Sequence, residues 1–124
     1  MAAVAALIFA ATTGFAVVFQ IALALGAPWG EWANGGRWRG TLPAAMRMAS
    51  VVQAILLSVL IAIVLATAGI INWAMPTWPI WVVVGIMALS SLMNLATPSA
   101  NERKLWAPVV MLACASAAIV GFLV

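Results

Sequence analysis

The sequence predicts an all-α integral membrane protein, a four-helix bundle with both termini on the non-cytoplasmic side. Three observations carry this reading. Of 124 residues, 68% are hydrophobic and only 6% charged, whereas soluble domains average roughly a quarter charged. The apolar residues gather into four runs, at about residues 3–25, 46–71, 79–96 and 107–124, each near the ~20 residues needed to cross ~30 Å of hydrocarbon. The charged side chains all fall at one end of those runs. The length suits a single transmembrane domain over 1–124, and helices are the open-ended way to pair every backbone group inside lipid.

The first run is longer than the apolar core of a signal peptide and lacks a positive leader, so it reads as a retained span. It stops at Gly26, with Pro28 beyond. Thr41 before Pro43 suits a cap for the second helix, and Thr77 before Pro79 a cap for the third. Ser99 to Glu102 matches a capping box, which starts the fourth helix ahead of Trp106, with a kink expected at Pro108. Small residues recur every fourth position on the first helix (Ala6, Ala10, Gly14) and on the fourth (Ala113, Ala117, Gly121). Such stripes let helices approach closely in lipid. They predict antiparallel contact, with Ala6 against Gly121, Ala10 against Ala117 and Gly14 against Ala113, or else a dimer interface.

Orientation follows from charge. Arg37, Arg39, Arg47, Arg103 and Lys104, together with Glu31 and Glu102, belong to the end that holds loops 26–45 and 97–106. The termini and loop 72–78 carry no charged side chain. The positive-inside rule places the charged end in the cytoplasm. Trp29, Trp32, Trp38 and Trp106 flank that end, and Trp73, Trp78 and Trp81 the other, as an aromatic belt would.

The segment GAPWGEWANGGRWRG, residues 26–40, is unlike the rest of the chain, with three tryptophans, five glycines and two arginines. Two readings stand. It is an interfacial loop in which Trp29, Trp32 and Trp38 anchor the chain and Arg37 and Arg39, beside Glu31, reach lipid phosphates. Alternatively it caps a site between the helices. Asn34-Gly35-Gly36 is a turn signal able to fold it back as a hairpin.

The inventory narrows the chemistry. There is no His and no Asp, and Cys114 is the sole cysteine, so triads, His-ligated metals and thiolate clusters lack their residues. No catalytic residue, metal or cofactor is expected. Both glutamates fall in loops, which counts against a proton-coupled exporter such as the small multidrug exporters. Five scattered basic residues do not make a nucleic-acid groove. The remaining candidates form a polar pocket in the cytoplasmic half: Gln20, Gln53 and Asn94, with Arg47 and Ser50 nearby on the second helix. These groups serve either as interhelical glue or as a site lidded by 26–40, with Arg47 attracting an anionic head group. The hydroxyl pairs Thr12-Thr13 and Ser90-Ser91 are expected to bond back to helix carbonyls or across helices.

Several stretches carry a resemblance. They are Gly26–Gly30, Gly35–Arg37, Leu42-Pro43 with Arg47, Asn94, Glu102-Arg103, Trp106 and Pro108. Together these resemble a group of small four-span bacterial integral membrane proteins, in which an aromatic is commoner at the position of Asn34. The resemblance implies the fold and a bacterial cytoplasmic membrane, and it implies no activity. The leading expectation is a non-catalytic accessory or scaffold subunit or a lipid-interacting module. Its partners would be membrane lipids and either further copies of itself or another membrane protein. The alternatives are a small transporter or channel using the polar cluster, and a lipid-acting enzyme using Glu31 or Glu102.

Overall fold

A computed structural model describes all of residues 1–124. It is all-helical: α1 (Ala2–Ala24), α2 (Ala44–Thr67), α3 (Pro79–Ala96) and α4 (Ala100–Leu123), with two short 3₁₀ turns, Gly30–Trp32 and Asn34–Gly36, in the first loop. All four helices are long and apolar enough to span a membrane.

The helix ends have identifiable causes. After α1, Gly26 takes φ +102°, and the amides of Gly26 and Ala27 reach back to Leu23 O and Ala22 O. After α2, Gly69 takes φ +81°, and Gly69 and Ile70 bond to Ala66 O and Leu65 O. Both are Schellman caps, which need a left-handed residue and suit glycine. The second cap ends α2 at Thr67, four residues short of the apolar run that predicted its end at 71. The two threonines expected as caps are not caps. Pro43 and Trp78 take the N-cap positions of α2 and α3 without a side-chain bond, and Thr41 Oγ1 donates instead to Gly26 O at 3.1 Å. The helix α4 does begin before Trp106, and it runs unbroken through Pro108.

The helices are arranged unequally. α1 packs along α2 and α4, and α3 packs along α4, but α2 meets α3 over only a short stretch. At the end holding the termini, all four helices share one apolar cluster, including Ala6, Phe9, Leu60, Val64, Ile80, Val83, Ala117 and Val120. At the loop end a second cluster gathers Phe19, Leu23, Ala33, Leu42 and Trp106, with Trp32, Trp38 and Met46 against it. No residue of α3 belongs to that second cluster. α3 therefore stands off from α2 at the loop end, and a cleft opens between them.

The small-residue stripes pack differently from expectation. α1 buries Ala5, Ala6, Phe9, Thr13, Phe19 and Leu23, a face that takes in Phe9 and Thr13 and leaves Ala10 and Gly14 half-buried. Ala6, Ala113 and Ala117 are fully or almost fully buried in the shared core. A side chain at Gly14, however, would meet nothing within 4 Å. Gly121 faces α3, where an added Cβ would lie 3.0–3.2 Å from the Trp81 indole. Gly14 thus meets no neighbour through its side-chain face, and the side-chain face of Gly121 is set against Trp81 of α3.

Candidate functional site: a polar cleft under a latched loop

The cleft between α2 and α3 has a volume of about 600 Å³. Its floor is α1 (Thr12, Thr13, Ala16, Gln20) and α4 (Trp106, Val109, Ala113), and its walls are Gln53 and Leu57 of α2 and Met87, Ser90 and Asn94 of α3. Loop residues Ala33, Asn34 and Gly35, with Thr97 and Pro98, close its end. Toward the termini it stops at the shared core, since Leu57, Met87 and Ala113 belong to both the lining and that packing. The cleft is blind at depth and open sideways.

Three sequence-derived candidates, Gln20, Gln53 and Asn94, line this one cleft from three different helices. They do not bond to one another. Asn94 Nδ2 donates to Ser90 O of its own helix at 2.8 Å, and the amides of Gln20 and Gln53 have no protein partner yet are not sealed from the cleft. No hydrogen bond of these three amides joins one helix to another. Arg47 and Ser50 lie off the cleft. Arg47 Nε donates to Ala24 O at 3.0 Å, capping a free carbonyl at the negative end of α1. Its guanidinium also covers the bare backbone of Gly26. Ser50 is buried and bonds back to Met46 O.

Two polar groups that the sequence did not assign to the cleft also line it. Glu102 is 8% exposed and lines the cleft. The capping box forms only by half: Ser99 Oγ accepts from Glu102 N at 3.2 Å, while Ser99 N turns to Thr97 Oγ1. Freed from reaching back, the Glu102 carboxylate accepts Gly35 N–H at 2.8 Å. The second group is Thr13, 3% exposed. Its Oγ1 is the one buried side-chain polar atom without a hydrogen-bond partner. Thr12 beside it bonds to Ile8 O and Phe9 O, and Ser91 bonds to Met87 O, so the bonding expected for these pairs is present at Thr12 and Ser91 and absent at Thr13 and at the half-buried Ser90.

The loop over the cleft is a folded unit and not a hairpin. Asn34, Gly35 and Gly36 take φ values of 52°, 71° and 70°, a left-handed turn that two glycines make accessible. Gly30 N donates to Gly40 O at 2.9 Å, closing the loop on itself. Four further bonds latch it onto the start of α4. In addition to the Glu102–Gly35 bond, Ser99 Oγ donates to Glu31 O at 3.1 Å, Asn101 Nδ2 to Glu31 Oε2 at 3.0 Å, and Trp106 Nε1 to Trp32 O at 2.8 Å.

Of the residues expected to anchor this loop at an interface, Trp29, Arg37 and Arg39 are exposed, whereas Trp32, Trp38 and Glu31 are half-buried. Trp29 stacks on Phe19 at 6.0 Å, and Arg37 lies over the Trp38 ring at 5.1 Å. Trp106, counted with the aromatic belt, is instead buried with its ring edge-on to Phe19 at 4.8 Å. Comparison of the chain with family models, with curated proteins and with solved structures finds no match.

Proposed function

We propose that this protein is a non-catalytic, lipid-interacting module of a bacterial cytoplasmic membrane, with both termini outside, which receives one amphiphile sideways into the cleft between α2 and α3. The carrying observation is the shape and polarity of that opening. Thr13, at its deep end, lies about three turns from the loop end of α1, which is about 16 Å by helical rise and matches half of a ~30 Å hydrocarbon layer. A cleft one leaflet deep, polar along its length and open between two helices, suits a lipid entering from the leaflet beside it. The apolar core beyond Met87 leaves no path onward, which favours holding a lipid over conducting a solute. Glu102 is the one carboxylate on the wall and has no titratable partner there, which favours binding over acid–base catalysis.

The exposed apolar faces of α2 and α3, including Val52, Leu56, Leu89 and Met93, flank the opening. They leave room for the module to serve as an accessory subunit that presents its lipid to a neighbouring membrane protein. The orientation is supported by the five basic residues at the loop end and none at the other.

Native mass spectrometry after extraction in a neutral maltoside detergent tests the reading. A lipid adduct that survives extraction is expected, and Gln20→Leu with Gln53→Leu should reduce its occupancy several-fold. A lipid-free chain under the same conditions would sink it. For orientation, in a Cys114→Ala background, Asn72→Cys should react with an impermeant maleimide in intact cells, and Asn34→Cys only after permeabilisation. The opposite pattern reverses the topology.

A further inference from the structure

Charge on the cleft wall indicates which head group it would take, granted that the cleft holds a lipid. No Lys or Arg lines the cleft. Arg47 is engaged on the α1 carbonyl end, Arg37 on Trp38, and Arg103 Nη2 on Thr97 O at 2.8 Å, while Arg39 and Lys104 are exposed. The one formally charged lining side chain is Glu102. Its Oε2 takes the Gly35 N–H, and Oε1 accepts no hydrogen bond and is not sealed from the cleft. A carboxylate oxygen left open on a side chain that is only 8% exposed attracts a cationic N–H donor and repels a bare anion more strongly than it would in water. The anionic head group suggested by Arg47 has no cation to meet in this cleft.

A second observation is independent of charge. Six other helical hydroxyls, Thr12, Ser50, Ser58, Thr67, Ser91 and Ser116, bond to the carbonyl four residues back, and Ser90, half-buried on the cleft wall, makes no such bond. Thr13 Oγ1 makes none either, and it is buried on the cleft floor. Buried hydroxyls are normally paired, so this one is a donor in want of an acceptor. It lies deeper than Glu102, on the side where the ester groups of a lipid would follow its head.

We infer that the cleft selects a zwitterionic, ammonium-headed lipid, its N–H groups on Glu102 Oε1 beneath the 34–36 turn, its phosphate oxygens on the amide N–H groups of Gln20 and Gln53, an ester oxygen on the Thr13 hydroxyl, and its chains leaving between α2 and α3. The test titrates the full chain in neutral maltoside micelles with dioleoyl phosphatidylethanolamine, dioleoyl phosphatidylglycerol, dioleoylglycerol and free ethanolamine, read by native mass spectrometry. The ethanolamine lipid should bind about tenfold tighter than the glycerol lipid, the scale of one charge-assisted contact. Glu102→Gln should bring the two within about twofold of each other, because the amide oxygen still accepts Gly35 N–H and keeps the loop in place. Thr13→Val, nearly the same shape, should weaken every lipid several-fold and leave their ratio unchanged.

Equal binding of the two phospholipids, a preference for the anionic one, or a ratio untouched by Glu102→Gln would overturn the inference. Displacement of the lipid by free ethanolamine at equal concentration would overturn the lipid as the source of the ammonium. Failure of every lipid to bind, diacylglycerol included, would instead overturn the lipid-module reading on which the inference rests.

Discussion

Gly30 has no room for a side chain. A Cβ there would lie 2.0 Å from Trp38 O and 2.7 Å from Gly40 O, two backbone atoms that cannot step aside without opening the loop. Gly30→Ala should therefore release residues 26–40, measured as tryptic cleavage after Arg37 and Arg39 at protease levels that leave the parent chain intact. Unchanged cleavage would count against the close approach. Trp106→Phe keeps most of the packing against Phe19 but leaves Trp32 O without its donor. A half-buried acceptor stranded in this way costs about 1 kcal/mol, visible as a lowered unfolding midpoint in detergent. At this scale the sequence was informative about composition and silent about partners. Ser99 to Glu102 read as a capping box, and the helix start it implied is correct. That the carboxylate would leave the box for Gly35 depends on a contact across 67 residues, and local spacing does not encode such a contact. Thr13 was indistinguishable from Thr12 for the same reason: which of two adjacent hydroxyls faces a cleft depends on how the helix is rotated in the bundle.

The helices themselves were the legible part, because apolar runs of membrane-crossing length leave the backbone few alternatives. Their ends were read well where a glycine follows the run directly, as at Gly26, and less well where Ala68-Gly69 interrupts a run that continues as Ile70-Ile71. Rotation about the helix axis was not legible. Stripes with four-residue spacing suggested one face of α1, and the buried face runs through Phe9 and Thr13 instead. That rotation puts Phe9, fully buried, where Ala10 was expected. The two stripe glycines should therefore behave oppositely. Gly121→Val drives a branched side chain into Trp81 and should destabilise by about 1–3 kcal/mol. Gly14→Ala meets open space and, by helix propensity, should be neutral or stabilising by up to about 1 kcal/mol. Thermal unfolding of both variants in one detergent measures the contrast, and equal losses would contradict it.

Across the whole molecule, the cleft exists because two apolar clusters divide the bundle unequally. The one at the termini joins four helices, and the one at the loop end joins three and the loop. Gln20, Gln53 and Asn94 were readable as a group because all three fall in the same half of the membrane, with Gln53 about two turns in and the other two nearer their helix ends. Whether they would meet each other or a shared space was not, because that depends on α3 standing apart. Tying α2 to α3 at this level tests the arrangement. Gln53→Cys and Asn94→Cys joined by a bismaleimide, in a Cys114→Ala background, should abolish the lipid adduct, while either single cysteine retains it. An adduct that persists in the joined form would place the lipid elsewhere, the apolar groove of α1 and α2 around Val17, Ile55 and Val59 being the next place to look.

The latch between the first loop and α4 also sets an order of assembly. Its bonds join residues 31–35 to residues 99–106, so nothing made before the last helix can complete it, and contacts this distant in sequence form late. A nascent chain would therefore carry an unfastened, tryptophan-rich segment at the membrane surface throughout synthesis of α2 and α3. Arrival of α4 would fasten it and complete the roof of the cleft in the same step. A chain ended after Ala96 should accordingly insert its first three helices yet stay open to protease at Arg37 and Arg39. In such a chain, loss of the last helix would expose a signal that a cell's surveillance proteases can read.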